Sequence, residues 1–449
     1  VTHFSEAKAK AINILKELPF RKLGKRWCLI RDIKGAFRLL MEPADGVEVN
    51  ALDDLRKRLS TDLAVFWTDE IWLTGPDARS AEKAVYDKAW TASRIIDDTP
   101  GSAEIRELER FLSKEAWFGN PVNPPWPLNS NTPPIISFFS FKGGVGRTTA
   151  LASVAIQLAR KGKRVCIVDF DLEAPGIGIC FPMLNDGPEY GTLDYVLESD
   201  LARGINAKMS VEEYVGTCDD HKIIGTQGAP LYIVPAGMLN DDYLEKLARM
   251  DYRALHARGD ETDSALHELF NNLKRKYNIE YFLVDARSGL HDIGGLALNG
   301  FCHLDVLFGI NNDQSWKGLS LVVSHLGRMR IERDLSQQDC AVVYAMGPSR
   351  MEKDREEKEK MFLEKSFDLF ARHFYESEPE GGWQADIPEN VWPLPTQDTD
   401  DQPHYPMVLG FSSEIQRAGS LGQIADYLTT GDYAELLRQL LVRVERTAP

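Results

Sequence analysis

What the chain lacks narrows its identity first. No window approaches the roughly 18 unbroken apolar residues of a membrane span, so no helix is expected to cross a bilayer. The opening VTHFSEAKAKAINIL has no apolar core followed by a small-residue cleavage site, so no secretory signal is expected. The six cysteines (Cys28, Cys166, Cys180, Cys218, Cys302, Cys340) stand far apart without a C-x-x-C pair. That excludes the common zinc and disulfide patterns and predicts free, mostly buried thiols in a cytoplasmic protein. H-E-x-x-H is missing and no cysteine has an evident partner histidine, which leaves metalloprotease and thiol chemistry without support. Positive charge is also short: 52 Lys and Arg against 68 Asp and Glu give a formal net charge of −16. A nucleic-acid binder is usually basic over its domain, so DNA is a disfavoured partner. No internal repeat is visible.

What is present is the composition of a globular protein, 43 % hydrophobic and 27 % charged over 449 residues. That length exceeds one ordinary core, and two or three domains are expected. Residues 1–118 read as a small α+β domain. Ala7 to Leu18 carries apolar residues at helical spacing, and Trp27–Ile30 and Phe37–Met41 read as strands about a turn at Lys34-Gly35. Leu52 to Leu63 is a helix with Asn50 as candidate cap, and Ala64–Trp67 with Ile71–Leu73 reads as a hairpin. Helices are expected over Ser80–Ile96 and Ala103–Phe118. The basic residues of the first forty positions, Lys8 and Arg21 among them, read as a solvated surface. Residues 119–134, GNPVNPPWPLNSNTPP, are too rich in Pro and Asn for helix or sheet interior and read as a linker, with Trp126 docking on a neighbouring surface.

From residue 135 to 449 strand and helix alternate. Continuous apolar runs at Val165–Val168, Leu231–Val234, Tyr281–Val284, Val306–Ile310 and Cys340–Ala345 suit strands buried on both faces. Helical stretches at Thr148–Lys161, Ser264–Tyr277 and Ser315–Arg330 fall between them. This order predicts an α/β domain with a doubly wound, mostly parallel sheet. Met351–Glu376 reads as a charged helix, Glu378–Pro406 as a loop, and Ser412–Ala418 and Leu421–Arg446 as closing helices.

The stretch that carries chemistry is Ile135 to Thr149, IISFFSFKGGVGRTT. A β-rich run leads into a glycine-dense loop, and two threonines then open a helix. Glycines let backbone N–H groups converge on an anion, and the helix N-terminus adds partial positive charge. Against the general pattern G-x-x-x-x-G-K-[ST], Phe141 stands at the first glycine and Arg147 at the lysine. Lys142-Gly143-Gly144-Val145-Gly146 with Thr148-Thr149 instead fits the deviant form K-G-G-x-G-K-T.

In these residues the chain resembles the ParA/MinD family of P-loop ATPases, from about Ile135 to Gly422 and most strongly over the first forty of those positions. The resemblance implies a P-loop NTPase domain binding ATP and Mg²⁺ through Lys142 to Thr149. Lys142 matches the signature lysine that reaches across a nucleotide-sandwich dimer, Thr148 the metal-ligating hydroxyl, and Thr149 the residue beside the α-phosphate. Asp171, in Asp169-Phe170-Asp171, matches the acid that serves the attacking water near metal and γ-phosphate. Asp285 matches the acid that holds the metal through water. Tyr344 to Pro348 resembles the adenine-contacting loop. Arg147 keeps the positive charge in a bulkier, planar form, which predicts binding with slow hydrolysis. Arg287, in DARSG, reads equally as a phosphate contact, a dimer contact or a structural salt bridge. By analogy the KGGVGR variant resembles ATPase modules of bacterial conflict or signalling systems. The expectation is an ATP-driven switch that forms a homodimer and signals to an unidentified protein partner. The alternatives are a DNA-partitioning ATPase and a scaffold that binds nucleotide without hydrolysis.

Overall fold

The computed structural model describes residues 2–47, 49–74, 80–118, 122–204, 209–250, 264–333, 339–376 and 392–447. It divides into two compact units, Val1–Ser113 and Lys114–Pro449.

The first unit is built on strands β1 (Gly24–Arg31), β2 (Phe37–Pro43), β3 (Trp67–Leu73), β4 (Arg94–Asp97) and β5 (Glu104–Glu109). Their order is β3-β2-β1-β5-β4. β1 and β2 form an antiparallel hairpin. Its turn suits the sequence: Gly35 has φ +90°, and the Asp32 carboxylate accepts the N–H groups of Lys34 and Ala36 at 2.9 and 3.0 Å. Helices Phe4–Lys16 and Asp53–Leu63 bury Ala7, Ala11, Ile14, Leu55 and Leu59 with Trp27, Leu29 and Leu39. Ala89 and Trp90 of helix Ser80–Ala92 pack with Cys28, Ile30 and Leu40, the alternate residues of the same strands. The sheet is therefore covered on both faces.

Three expectations for this unit are corrected. The stretch Ala103–Phe118 is not a helix: Glu104–Glu109 is a strand parallel to β1, and only Glu115–Phe118, in the second unit, is helical. Buried Glu107 pairs with Lys8 at 2.6 Å, so sheet pairing overrides the helix preference of a Glu-rich sequence. The supposed hairpin is one strand, β3, preceded by a 3₁₀ turn at Ala64–Phe66. The helix begun at Ser80 also stops earlier than expected, at Ala92, and β4 follows. The basic residues near the start face acids: Lys16 and Arg21 bond Asp97 at 2.9 and 2.8 Å, Arg26 bonds Glu42 at 2.7 Å, and Arg38 bonds Glu70 at 3.1 Å. Lys16, Thr99 and Arg21 hold the Asp97 carboxyl well below the usual carboxylate range.

The second unit carries β6 (Ile135–Ser140), β7 (Val165–Asp169), β8 (Gly216–Cys218), β9 (Leu231–Val234), β10 (Tyr281–Asp285), β11 (Leu304–Gly309), β12 (Asp339–Gly347) and β13 (Met407–Gly410). The order is β13-β12-β11-β6-β10-β7-β9-β8. All neighbours are parallel except β8 on β9. The continuous apolar runs follow from this arrangement. Ile135, Phe139, Cys166, Val168, Phe282 and Val284 enter one core. Their neighbours Ile136, Phe138, Val165, Ile167 and Leu283 enter the other, under helix Arg147–Arg160. The last helix, Gly431–Thr447, lays Leu436, Leu437, Leu440 and Val444 on that second face. It is a separate helix because the stretch expected to run from Leu421 is interrupted by a 3₁₀ turn at Tyr427–Thr429 and by Gly431 at φ +59°. The charged helix spans Arg355–His373. Residues 378–391 of the expected loop lie outside the described residues.

The proline-rich segment belongs to this unit. Trp126 is buried, donates its indole N–H to Pro133 O at 2.7 Å and lies 5.7 Å from the Phe282 ring. His303 ties the segment to β6: its Nδ1 accepts the Ile135 N–H at 2.9 Å, which leaves Nε2 to donate to Trp126 O at 2.9 Å. Burial pushes the His303 imidazole down to about 4. Among the described residues, no helix is long and apolar enough to cross a membrane.

Candidate functional site

β6 delivers its chain at Ser140 into the loop Phe141–Gly146, and helix Arg147–Arg160 begins at once. The loop needs its glycines: Gly144 and Gly146 stand at φ +74° and +84°, where an L side chain is strained. Phe141 has a different role from the glycine it replaces. A Cβ on Gly318 of helix Asp313–Arg333 would sit 2.1 Å from the Phe141 ring, so that helix is bare of side chain where the ring lies.

The loop opens on a cavity of about 510 Å³. One wall is Ser140 with Gly143 to Thr149. The opposite wall is Met346, Leu409, Phe411, Ile415, Gln416 and Tyr433. The two walls are joined through the loop helix, since Ser153 and Gln157 on it donate to Leu428 O at 2.6 Å and Tyr433 O at 2.9 Å. Ser140 lines the cavity, and its hydroxyl is buried without a partner among the described residues.

Two strand ends bring the acids together. Asp169 ends β7 and Asp285 ends β10, paired in register. Asp169 is buried and structural: its carboxylate accepts the N–H groups of Asp171, Gly176 and Ile177 at 2.9, 3.3 and 3.2 Å. Burial and then the charge of Asp285 push the Asp169 carboxyl up to about 8, above the usual carboxylate range. The Asp169 cap presents Asp171 to the cavity. Arg147 reaches both remaining acids, through Nε to Asp285 Oδ1 at 2.6 Å and Nη2 to Asp171 Oδ2 at 3.1 Å. Thr148 donates its hydroxyl to Asp285 Oδ2 at 2.8 Å. Arg287 closes the group with 2.9 Å to Asp171 Oδ1 and 3.1 Å to Glu173. Burial raises the Asp285 carboxyl, and the Arg147 charge with the Thr148 hydroxyl opposes it.

The sequence candidates thus divide. Gly143 to Thr149 and Asp171 line one cavity, while Asp285 lies behind Arg147 and outside the lining. Lys142 is half-buried and also outside it. Pro348 packs its carbonyl behind Gly410, and Met346, two residues earlier, is the one from its segment that meets the cavity. The wall at Leu409–Gln416 and Tyr433 was missed. Its only signal is the short apolar run Met407–Leu409, which becomes a strand through pairing with β12. For Arg287, an ion pair with Asp171 is what the structure shows. A hard-oxygen set of Thr148, Asp171 and Asp285 suits Mg²⁺ chemically. No cluster of three or more His, Cys, Asp or Glu able to hold a metal occurs among the described residues.

Residues 134–291 match the family model described as an AAA domain, from the strand that opens the phosphate loop through the second acid. Over this span the chain is similar to that family. Over short stretches the chain is similar to an uncharacterized ATP-binding protein of Methanocaldococcus jannaschii, 46 % identical over 54 residues, 12 % of this chain and 20 % of that one. It is also similar to an iron-sulfur cluster carrier protein of Pseudomonas fragi, 44 % identical over 52 residues, 12 % of this chain and 18 % of that one. The chain spans about a fifth of the length of these curated relatives. Similar solved structures include pNOB8 ParA bound to nonspecific DNA, at 15 % identity over 70 % of this chain and 99 % of that one, with TM-score 0.41. The cell division ATPase MinD of Pyrococcus furiosus is similar at 19 % identity over 71 % of this chain and 100 % of that one, with TM-score 0.40. The sheet continues beyond the matched residues through β11 to β13, and Met346 of β12 with Leu409 and Gly410 of β13 lines the cavity.

Proposed function

We propose that this chain is an ATP-binding molecular switch. The observation that carries the reading is the cavity bounded by Gly143 to Thr149, with Asp171 and Ser140 also in its lining. A loop of this kind at a helix N-terminus suits the phosphates of a nucleotide. The apolar Met346, Leu409, Phe411 and Tyr433 suit a flat base, and Gln416 offers it a hydrogen bond. Magnesium, when bound, would neutralise phosphate charge, with Thr148, Asp171 and Asp285 as its holders. Asp171 is the group placed to orient a water for slow hydrolysis. Lys142, outside the cavity lining, is free to serve a second copy in a nucleotide-driven homodimer, and the first unit, Val1–Ser113, is the module that would signal to a protein partner.

Calorimetry with ATP and ADP in the presence of Mg²⁺ tests the binding. Saturable binding of either nucleotide supports the reading, and its absence ends it. Light scattering of the same samples, with and without a non-hydrolysable ATP analogue, tests the dimer. Lys142→Ala should keep the protein monomeric with nucleotide bound.

A further inference from the structure

Arg147 does not point its charge into the cavity alone. Its side chain is only 9 % exposed, and the guanidinium bridges Asp171 and Asp285, the two acids of the candidate metal site. Asp285 Oδ1 is taken by Arg147 and Oδ2 by Thr148, while Asp171 Oδ1 is taken by Arg287 and Oδ2 by Arg147. All four carboxylate oxygens are therefore engaged. Arg147 lines the cavity and Asp285 does not, so the arginine stands between that acid and any incoming cation.

We infer that Arg147 is a tethered counter-ion, occupying the divalent-cation site of the nucleotide-free protein and vacating it only for a phosphate. The inference rests on the proposed nucleotide site. A planar fork is what this role requires: it can bond two carboxylates from one side chain, whereas an ammonium is a single compact point charge. In the free protein a divalent cation entering beside Asp285 would meet an arginine whose buried charge has no other anion to accept it. When a polyphosphate enters the loop, the guanidinium gains an alternative anion and transfers from carboxylate oxygens to phosphate oxygens. Asp285 Oδ1 and Asp171 Oδ2 are then released to a metal. Nucleotide and metal affinities become positively coupled through one side chain, in both directions. The departure from lysine at this position is thus a device against metal binding by the empty protein.

The test uses the full chain without nucleotide, titrated with Mn²⁺ and followed by electron paramagnetic resonance. The wild type should bind the ion weakly, and Arg147→Gln should bind it about tenfold or more tightly, because the competing charge is gone. Arg147→Lys should fall between them. Adding Asp285→Asn to Arg147→Gln should abolish the gain, which places the ion at this site. If the free wild type binds Mn²⁺ as tightly as Arg147→Gln, or Arg147→Gln gains nothing, the inference is overturned. Should Arg147→Gln not fold, the ¹⁵Nε–H resonance of Arg147, assigned by its loss in Arg147→Lys, reports directly on the wild type. It should move when a metal-free ATP analogue binds, and an unmoved resonance with analogue bound overturns the exchange. Failure of any nucleotide to bind would sink the proposed function, while the Mn²⁺ comparison would still decide the role of Arg147.

Discussion

At the residue scale, open space and allowed backbone must be kept apart. A Cβ on Gly146 would meet nothing within 4 Å, yet its φ of +84° is unfavourable for any L side chain. Gly146→Ala should cost about 1–2 kcal/mol by this strain alone. Relief of the strain would re-aim the loop's N–H groups, so calorimetry should show nucleotide affinity falling by more than the melting curve does. His303 gives a second prediction. Its imidazole is held neutral by burial down to about 4, against 6.5 when free. Between those values the unfolded chain binds the proton and the folded one does not. The contribution is thus complete above pH 6.5 and is lost as pH falls toward 4, amounting to about 3 kcal/mol. His303→Gln should flatten stability against pH across that window in urea titrations. The glycine loop and Asp285 could be read as candidates because they follow or end a strand, and Asp171 because it stands two residues past one. The ion pairs of Arg147 and Arg287 were not, because spacing does not say where a long side chain turns.

At the element scale, helix Asp313–Arg333 supports the loop through an absence. Alanine is the better helix former than glycine by about 1 kcal/mol. At position 318 the added carbon would lie 2.1 Å from the Phe141 ring, an overlap that costs about 1–3 kcal/mol and displaces the residue before Lys142. Overlap should win, so Gly318→Ala lowers both melting temperature and nucleotide affinity. A double variant with Phe141→Ala should recover the fold, as thermal denaturation would show. The elements misread from sequence share a cause. Glu104–Glu109 and Met407–Gly410 take their strand form from pairing with β1 and β12, which no local pattern records. The continuous apolar strands β7, β10 and β11 were readable because burial on both faces writes itself into every residue.

At the scale of the whole molecule, each unit has its own hydrophobic core. Residues 114–449 expressed alone should therefore melt cooperatively and keep the nucleotide affinity of the full chain, which calorimetry can check. A non-cooperative fragment would show that the first unit is needed for the second to fold. Sequence alone determined the class of the second unit: alternating apolar runs and helices require a sheet covered on both faces, and one glycine loop after a strand marks its anion site. Tertiary structure decided what the site is made of. β10 and β7 lie side by side, so Asp285 and Asp171 meet at one arginine. β13, distant in sequence, closes the cavity from the far side. The reason is physical: periodicity and local propensity act over a few residues, whereas charge pairing in a buried site depends on which strand ends the sheet places together.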